Sequence, residues 1–110
     1  MPAATHVSGY DAALQARFNA AVAAGSYRDL EELLRAYAHC INVNEYDLAS
    51  GQTAMQKFCV AGDLSLIQLM VRYGADSRLC SRDGWSTLHM AAWSGRPEVV
   101  MYVLDCSKRL

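Results

Sequence analysis

Residues 51–76, GQTAMQKFCVAGDLSLIQLMVRYGAD, and residues 84–104, GWSTLHMAAWSGRPEVVMYVL, carry one pattern written twice. Gly51 aligns with Gly84, Gly62 with Gly95, and Thr53-Ala54-Met55-Gln56 with Ser86-Thr87-Leu88-His89, all at a spacing of 33 positions. A fixed period of that length marks a repeat array, whose units bury their apolar faces against their neighbours. After each of the glycines Gly62 and Gly95 the apolar spacing also matches. Leu64, Leu66, Ile67, Leu69, Met70 and Val71 stand where Pro97, Val99, Val100, Tyr102, Val103 and Leu104 stand, and both runs predict amphipathic helices. Gly74 suits the left-handed residue that ends a helix, and Asp83-Gly84 suits the turn of a hairpin.

A looser unit precedes these two. Leu14, Phe18, Ala21 and Val22 form one face of a helix, Gly25 stops it, and Leu30, Leu33 and Leu34 form the face of a second helix. Gly25 to Gly62 spans 37 positions, and the surplus falls in residues 37–42, before Val43-Asn44. The pattern resembles the ankyrin signature, GxTPLHxAAxxG followed by GAD, over more than half of the chain. The resemblance implies an all-α repeat protein, a short ankyrin solenoid of about three helix-turn-helix repeats with β-hairpin fingers. The expected organisation is a flexible tail at 1–10, a degenerate first repeat at 11–47, a second repeat at 48–80, and a third repeat with a short C-terminal tail at 81–110.

Composition narrows the function. With 110 residues, 53% of them hydrophobic, the chain suffices for one compact unit or a short stack. Ten basic residues against eleven acidic ones, with no basic block, argue against phosphate-driven nucleic-acid binding. No apolar run approaches the ~20 residues that cross a bilayer, and the N-terminal residues lack the pattern of a signal peptide, so a soluble, intracellular chain is expected. Cys40, Cys59, Cys80 and Cys106 contain no CxxC pair and read as free thiols. No metal, no cofactor and no catalytic residue is expected. His6 lies in the tail and His39 in the long connection, and neither has a ligand-like spacing to a cysteine. A Ser86–His89 nucleophile lacks an orienting carboxylate and an oxyanion loop.

In place of catalysis, the third repeat offers a binding surface. Ser86 is expected to cap its helix, and the ankyrin resemblance implies that His89 bonds to a neighbouring hairpin. Leu88, Ala91 and Ala92 follow the i, i+3, i+4 rule and predict the packed face. Met90 and Trp93 fall where ankyrin positions look onto the concave groove, although Trp93 also has the alternative of folding back over the stack end. Trp85 falls at a fingertip beside Arg78, Arg82 and Asp83, an aromatic-plus-arginine grouping typical of interface anchors. Arg78, Arg82, Trp85, Met90, Ala92 and Trp93 are therefore the candidate protein-binding residues. Gln56 stands where the signature has histidine. If its amide cannot reach a hairpin, the second repeat opens more easily than the third. The last repeat also has little capping, with Met101 where the second repeat has Gln68.

A narrower resemblance rests on Arg17-Phe18, Asn42-Val43-Asn44, Tyr73-Gly74-Ala75-Asp76, Arg78-Leu79 and Arg82-Asp83-Gly84-Trp85-Ser86. It is to a Notch-pathway branch of the ankyrin family. That resemblance implies a non-enzymatic adaptor that binds the Notch intracellular domain, through its ankyrin repeats, together with the CSL transcription factor, and lowers Notch output. It implies a location in nucleus and cytoplasm; with the charge balance and hydropathy above, no direct nucleic-acid contact and no membrane association are expected, and a monomer when free. The rival readings are a generic ankyrin scaffold that inhibits or targets a phosphatase or kinase, and an enzyme with a Cys or His nucleophile.

Overall fold

The computed structural model describes residues 9–108. His6 and most of the expected tail lie outside them. The described helices are α1 (Ala12–Ala24), α2 (Tyr27–Tyr37), α3 (Ala54–Ala61), α4 (Leu64–Arg72), α5 (Thr87–Trp93) and α6 (Pro97–Lys108). They divide into two compact units that part between Val43 and Asn44.

In the first unit, Asp11 caps α1 by accepting the amides of Ala13 and Leu14, at 2.9 and 3.1 Å. Gly25 ends the helix at φ +67°, where a side chain would be strained. Ser26 then caps α2, which buries Leu30, Leu33 and Leu34 as the spacing predicts. On α1 the buried set is Gln15, Phe18, Ala21 and Val22, with Leu14 only half-buried. Gln15 is inside because its amide is fully used. It accepts the Asn42 N–H at 2.7 Å and donates to the Asn42 carbonyl at 3.0 Å. The extra residues of this repeat form a 3₁₀ turn at Ala38–Cys40 that leads the chain back to this bond.

In the second unit, α3 packs against both α4 and α5, and α5 packs against α6. Thr53 and Gln56 form a reciprocal capping box at the start of α3, and Ser86 and His89 form its counterpart on α5. Met55, Phe58, Cys59, Leu66, Ile67, Leu69 and Met70 make a closed core, continued by Met90, Ala91, Val99 and Val103. The fingers are slighter than the expected β-hairpins. Their one described bridge pairs Cys80 with Ser86, while the Ser81 amide donates to the Trp85 carbonyl at 2.8 Å.

The burial of α5 is turned by one position from expectation. Thr87, Met90 and Ala91 are buried, Leu88 is half-buried and Ala92 is exposed. This set still obeys the i, i+3, i+4 rule, but it is the side of the helix covered by α3 and α6. Met90, expected on the groove, is 6% exposed and belongs to the core. Among the described residues, no helix is long and apolar enough to cross a membrane.

Candidate protein-binding surface

The contrast between the second and third repeats defines the surface. Met55, Gln56, Cys59 and Ile67 are fully buried in the second repeat. Their equivalents 33 positions on, Leu88, His89, Ala92 and Val100, are half-buried or exposed. The same residue positions that pack beneath the third repeat are left open by the third repeat itself. A solenoid end of this kind exposes apolar surface unless its outer face is polar. Here the polar substitution is missing, and Met101 on α6 is also 67% exposed.

The two capping-box residues display the difference in hydrogen bonds. The Gln56 carbonyl oxygen accepts the Thr53 N–H at 3.0 Å, and its amide nitrogen donates to the Leu79 carbonyl in the next finger at 2.9 Å. Gln56 thus performs both halves of the histidine's job, and the condition for easier opening of the second repeat is not met. Thr87 adds a second donor to the same Leu79 carbonyl, at 3.1 Å. On His89, Nδ1 lies 2.7 Å from the Ser86 hydroxyl and 3.4 Å from the Ser86 backbone nitrogen. With Nδ1 accepting that amide, Nε2 carries the ring proton. No described residue accepts from it, so the expected bond of His89 to a neighbouring hairpin is absent: no further finger follows this repeat among the described residues.

The six sequence-derived candidates separate. Trp85 is 58% exposed at the second fingertip and meets the His89 ring edge-on, with centroids 5.7 Å apart. Trp93 is 81% exposed at the end of α5, which excludes its folding back as a shield. Ala92 is exposed beside it, and Met90 is interior. Arg78 forms a two-point pair with Asp76, Nε and a terminal nitrogen each 3.0 Å from a carboxylate oxygen. That pairing, with the Arg78 backbone amide, holds the Asp76 carboxyl below its ordinary pKa. Arg82 turns back onto the preceding finger and donates to the Leu48 carbonyl at 2.8 Å. Trp85 and Trp93 are accessible where the sequence placed them, whereas Ala92 is exposed although its spacing predicted the packed face, Met90 is buried, and Arg82 points back onto its own molecule.

Two features escaped the sequence reading. Leu88 and Val100 extend the open face beside Met101, which its comparison with Gln68 had already singled out, and the same comparison of positions one period apart was the signal that could have found them. Leu48, at 90% exposure the most open large apolar side chain described, sits in a turn where periodicity is silent. The thiols offer no nucleophile at the core. Burial pushes the Cys59 thiol up to about 12, reinforced by the nearby Cys106, so its thiolate is scarce at neutral pH.

A pair of stacked helix-turn-helix units with fingers and an end that is apolar and open among the described residues is the architecture of a protein-binding repeat. Residues 18–109 match the model for ankyrin repeats in three copies. Over 92 residues the chain is 41% identical to the Notch-regulated ankyrin repeat-containing protein of Xenopus tropicalis, covering 83% of this chain and 80% of that one. It is 40% identical over 97 residues to the Notch-regulated ankyrin repeat-containing protein B of Danio rerio, covering 87% and 86%. A shorter likeness, 34% over 56 residues, is to protein phosphatase 1 regulatory subunit 27 of Homo sapiens, covering 51% of this chain and 36% of that protein. The chain belongs to the ankyrin-repeat family, among the Notch-regulated ankyrin repeat-containing proteins.

Proposed function

We propose that the protein is a non-enzymatic adaptor that binds the Notch intracellular domain, through its ankyrin repeats, together with the CSL transcription factor, and lowers Notch-driven transcription in the nucleus. The observation that carries this reading is the open face at Leu88, His89, Ala92 and Val100. Its equivalents in the second repeat are what a following ankyrin repeat covers, so an ankyrin repeat of the partner is a natural occupant. The Nε2–H of His89 then has the role that Gln56 fills internally, donating to a carbonyl of the incoming finger. Trp85 and Trp93 flank the face as large apolar anchors, with Arg78 at the margin. The relatives' names supply the link to Notch.

The test is calorimetric titration of the chain into a purified assembly of Notch ankyrin domain, CSL and DNA, and into each component alone. Saturable binding to the assembly is expected, with a large loss for Trp85→Glu. No heat with any combination would sink the adaptor reading. The likeness to a phosphatase regulatory subunit over 56 residues favours one second reading, a phosphatase-binding scaffold. Tight binding to protein phosphatase 1 with no response to the Notch assembly would select it.

A further inference from the structure

We propose that Leu48 is a second partner anchor, held in fixed register with Trp85 by Arg82, so that the two fingertips engage an apolar socket on the partner as one rigid unit. The proposal rests on the adaptor reading above and adds to it a residue and a device. Leu48 lies in a turn of Asp47, Ala49, Ser50 and Gly51, where a polar side chain would fold equally well, yet it leaves 90% of its surface in water. Such exposure of a leucine brings no folding benefit, and a partner that covers it gains the apolar area directly.

Arg82 determines how that leucine is presented. Its backbone amide donates to the Gly51 carbonyl at 2.8 Å, and its guanidinium donates to the Leu48 carbonyl at 2.8 Å and to the Ala49 carbonyl at 3.5 Å. The arginine stem lies across Gly51, where an added Cβ would come within 2.7 Å of the Arg82 Cβ. Gly51 is also at φ +71°, so the close approach and the turn both require glycine. A second brace runs the other way, from the Tyr46 hydroxyl to the Cys80 carbonyl at 2.6 Å. Between the braces is a cleft of about 290 Å³. The second finger is itself closed, because the Trp85 amide donates to the Ser81 hydroxyl at 3.1 Å. Leu48 is therefore tied through Arg82 to the finger that Ser81 closes on Trp85, and a partner meets both side chains on braced turns, which lowers the entropic cost of association.

The same geometry specifies the partner's chemistry. Arg82 directs two of its side-chain donors to internal carbonyls and so acts as a positioning residue. At the tip the exposed Arg82 guanidinium, bonded only to neutral carbonyls, and the adjacent exposed Asp83 carboxylate carry opposite charges and leave no net charge. The complementary surface is thus an apolar socket with no strong net charge at its rim.

The experiment is titration of the full chain and its variants into the Notch ankyrin, CSL and DNA assembly, with circular dichroism confirming that each variant is folded. Leu48→Asp, at so exposed a position, is expected to keep the fold and to weaken binding about tenfold or more. Arg82→Ala is expected to weaken binding about tenfold when Leu48 is present and less than about twofold in a Leu48→Ala background, a coupling that a purely structural role of Arg82 does not produce. If Arg82→Ala does not fold, Arg82→Lys takes its place, keeping the stem over Gly51 and losing the forked donors. Binding by Leu48→Asp at the affinity of the unaltered chain, or additive losses in the double variant, overturns the proposal and leaves the adaptor reading standing. No binding by the unaltered chain overturns both.

Discussion

Gln56 and His89 hold the same repeat position, and their neighbours decide what each is worth. Gln56 is fully buried with both ends of its amide engaged, whereas His89 is exposed, and its described hydrogen bonds reach only its own cap. Removing the Gln56 side chain leaves the Thr53 amide without its side-chain acceptor and deprives the partly buried Leu79 carbonyl of one of its two side-chain donors, a loss of about 1–3 kcal/mol. Gln56→Ala should therefore lower the urea midpoint clearly, His89→Ala should lower it much less, and Gln56→His should stay close to the unaltered chain. Equal losses for the two alanine variants would show that the third repeat is covered by something the geometry does not contain. The glutamine was legible in the sequence as a departure from the signature, but its adequacy was not. Whether an amide reaches a carbonyl 23 residues away depends on the placement of the finger, which no local pattern encodes.

At the scale of elements, legibility followed periodicity. The helices of all three repeats could be read from apolar spacing because helical burial recurs every three to four residues, and Gly25, Gly62 and Gly74 punctuated them as left-handed residues do. The turn of α5 by one position could not, since Leu88 and Met90 are both apolar and only the neighbouring helices select between them. The fingers were least legible. Leu48 has no periodic context, and Arg82 reads equally as an anchor or a latch. The first finger is fastened to α3 by the ion pair of Lys57 with Asp47. The Lys57 hydrogen bond, with the Ala49 amide, holds the Asp47 carboxyl below its ordinary pKa. A carboxyl whose folded value is depressed contributes stability above the unfolded value, and that contribution is lost as pH falls through the folded value. The finger should therefore loosen below about pH 4, modestly, because the pair is still partly open to solvent and screened by salt. In Lys57→Met the Asp47 carboxyl should titrate higher than in the unaltered chain when followed by NMR. An unchanged titration would mean that the pair does not persist in solution.

For the molecule as a whole, the open end and the proposed partner are two views of one imbalance. Helix α3 has α4 on one flank and α5 on another, while the outer side of α5 has no neighbour among the described residues. Local opening follows missing contacts, so the amides of α5 and α6 should exchange with solvent faster than those of α3 and α4. This reverses the order expected from the glutamine alone. A partner that binds only the folded chain stabilises it by about 2.7 kcal/mol at a concentration 100 times its dissociation constant. That energy has to be distributed where the contacts form. Hydrogen exchange in the presence of saturating Notch ankyrin and CSL assembly should then show protection rising most in α5, α6 and the two fingers, with α1 and α2 nearly unchanged. Protection that rose chiefly at α1 and α2 would place docking on the first unit and leave the exposed Leu88, Ala92 and Trp93 without a role. Protection confined to α5, α6 and the fingers would mean that the residues which fail to close this repeat on itself are the ones that close it on another protein.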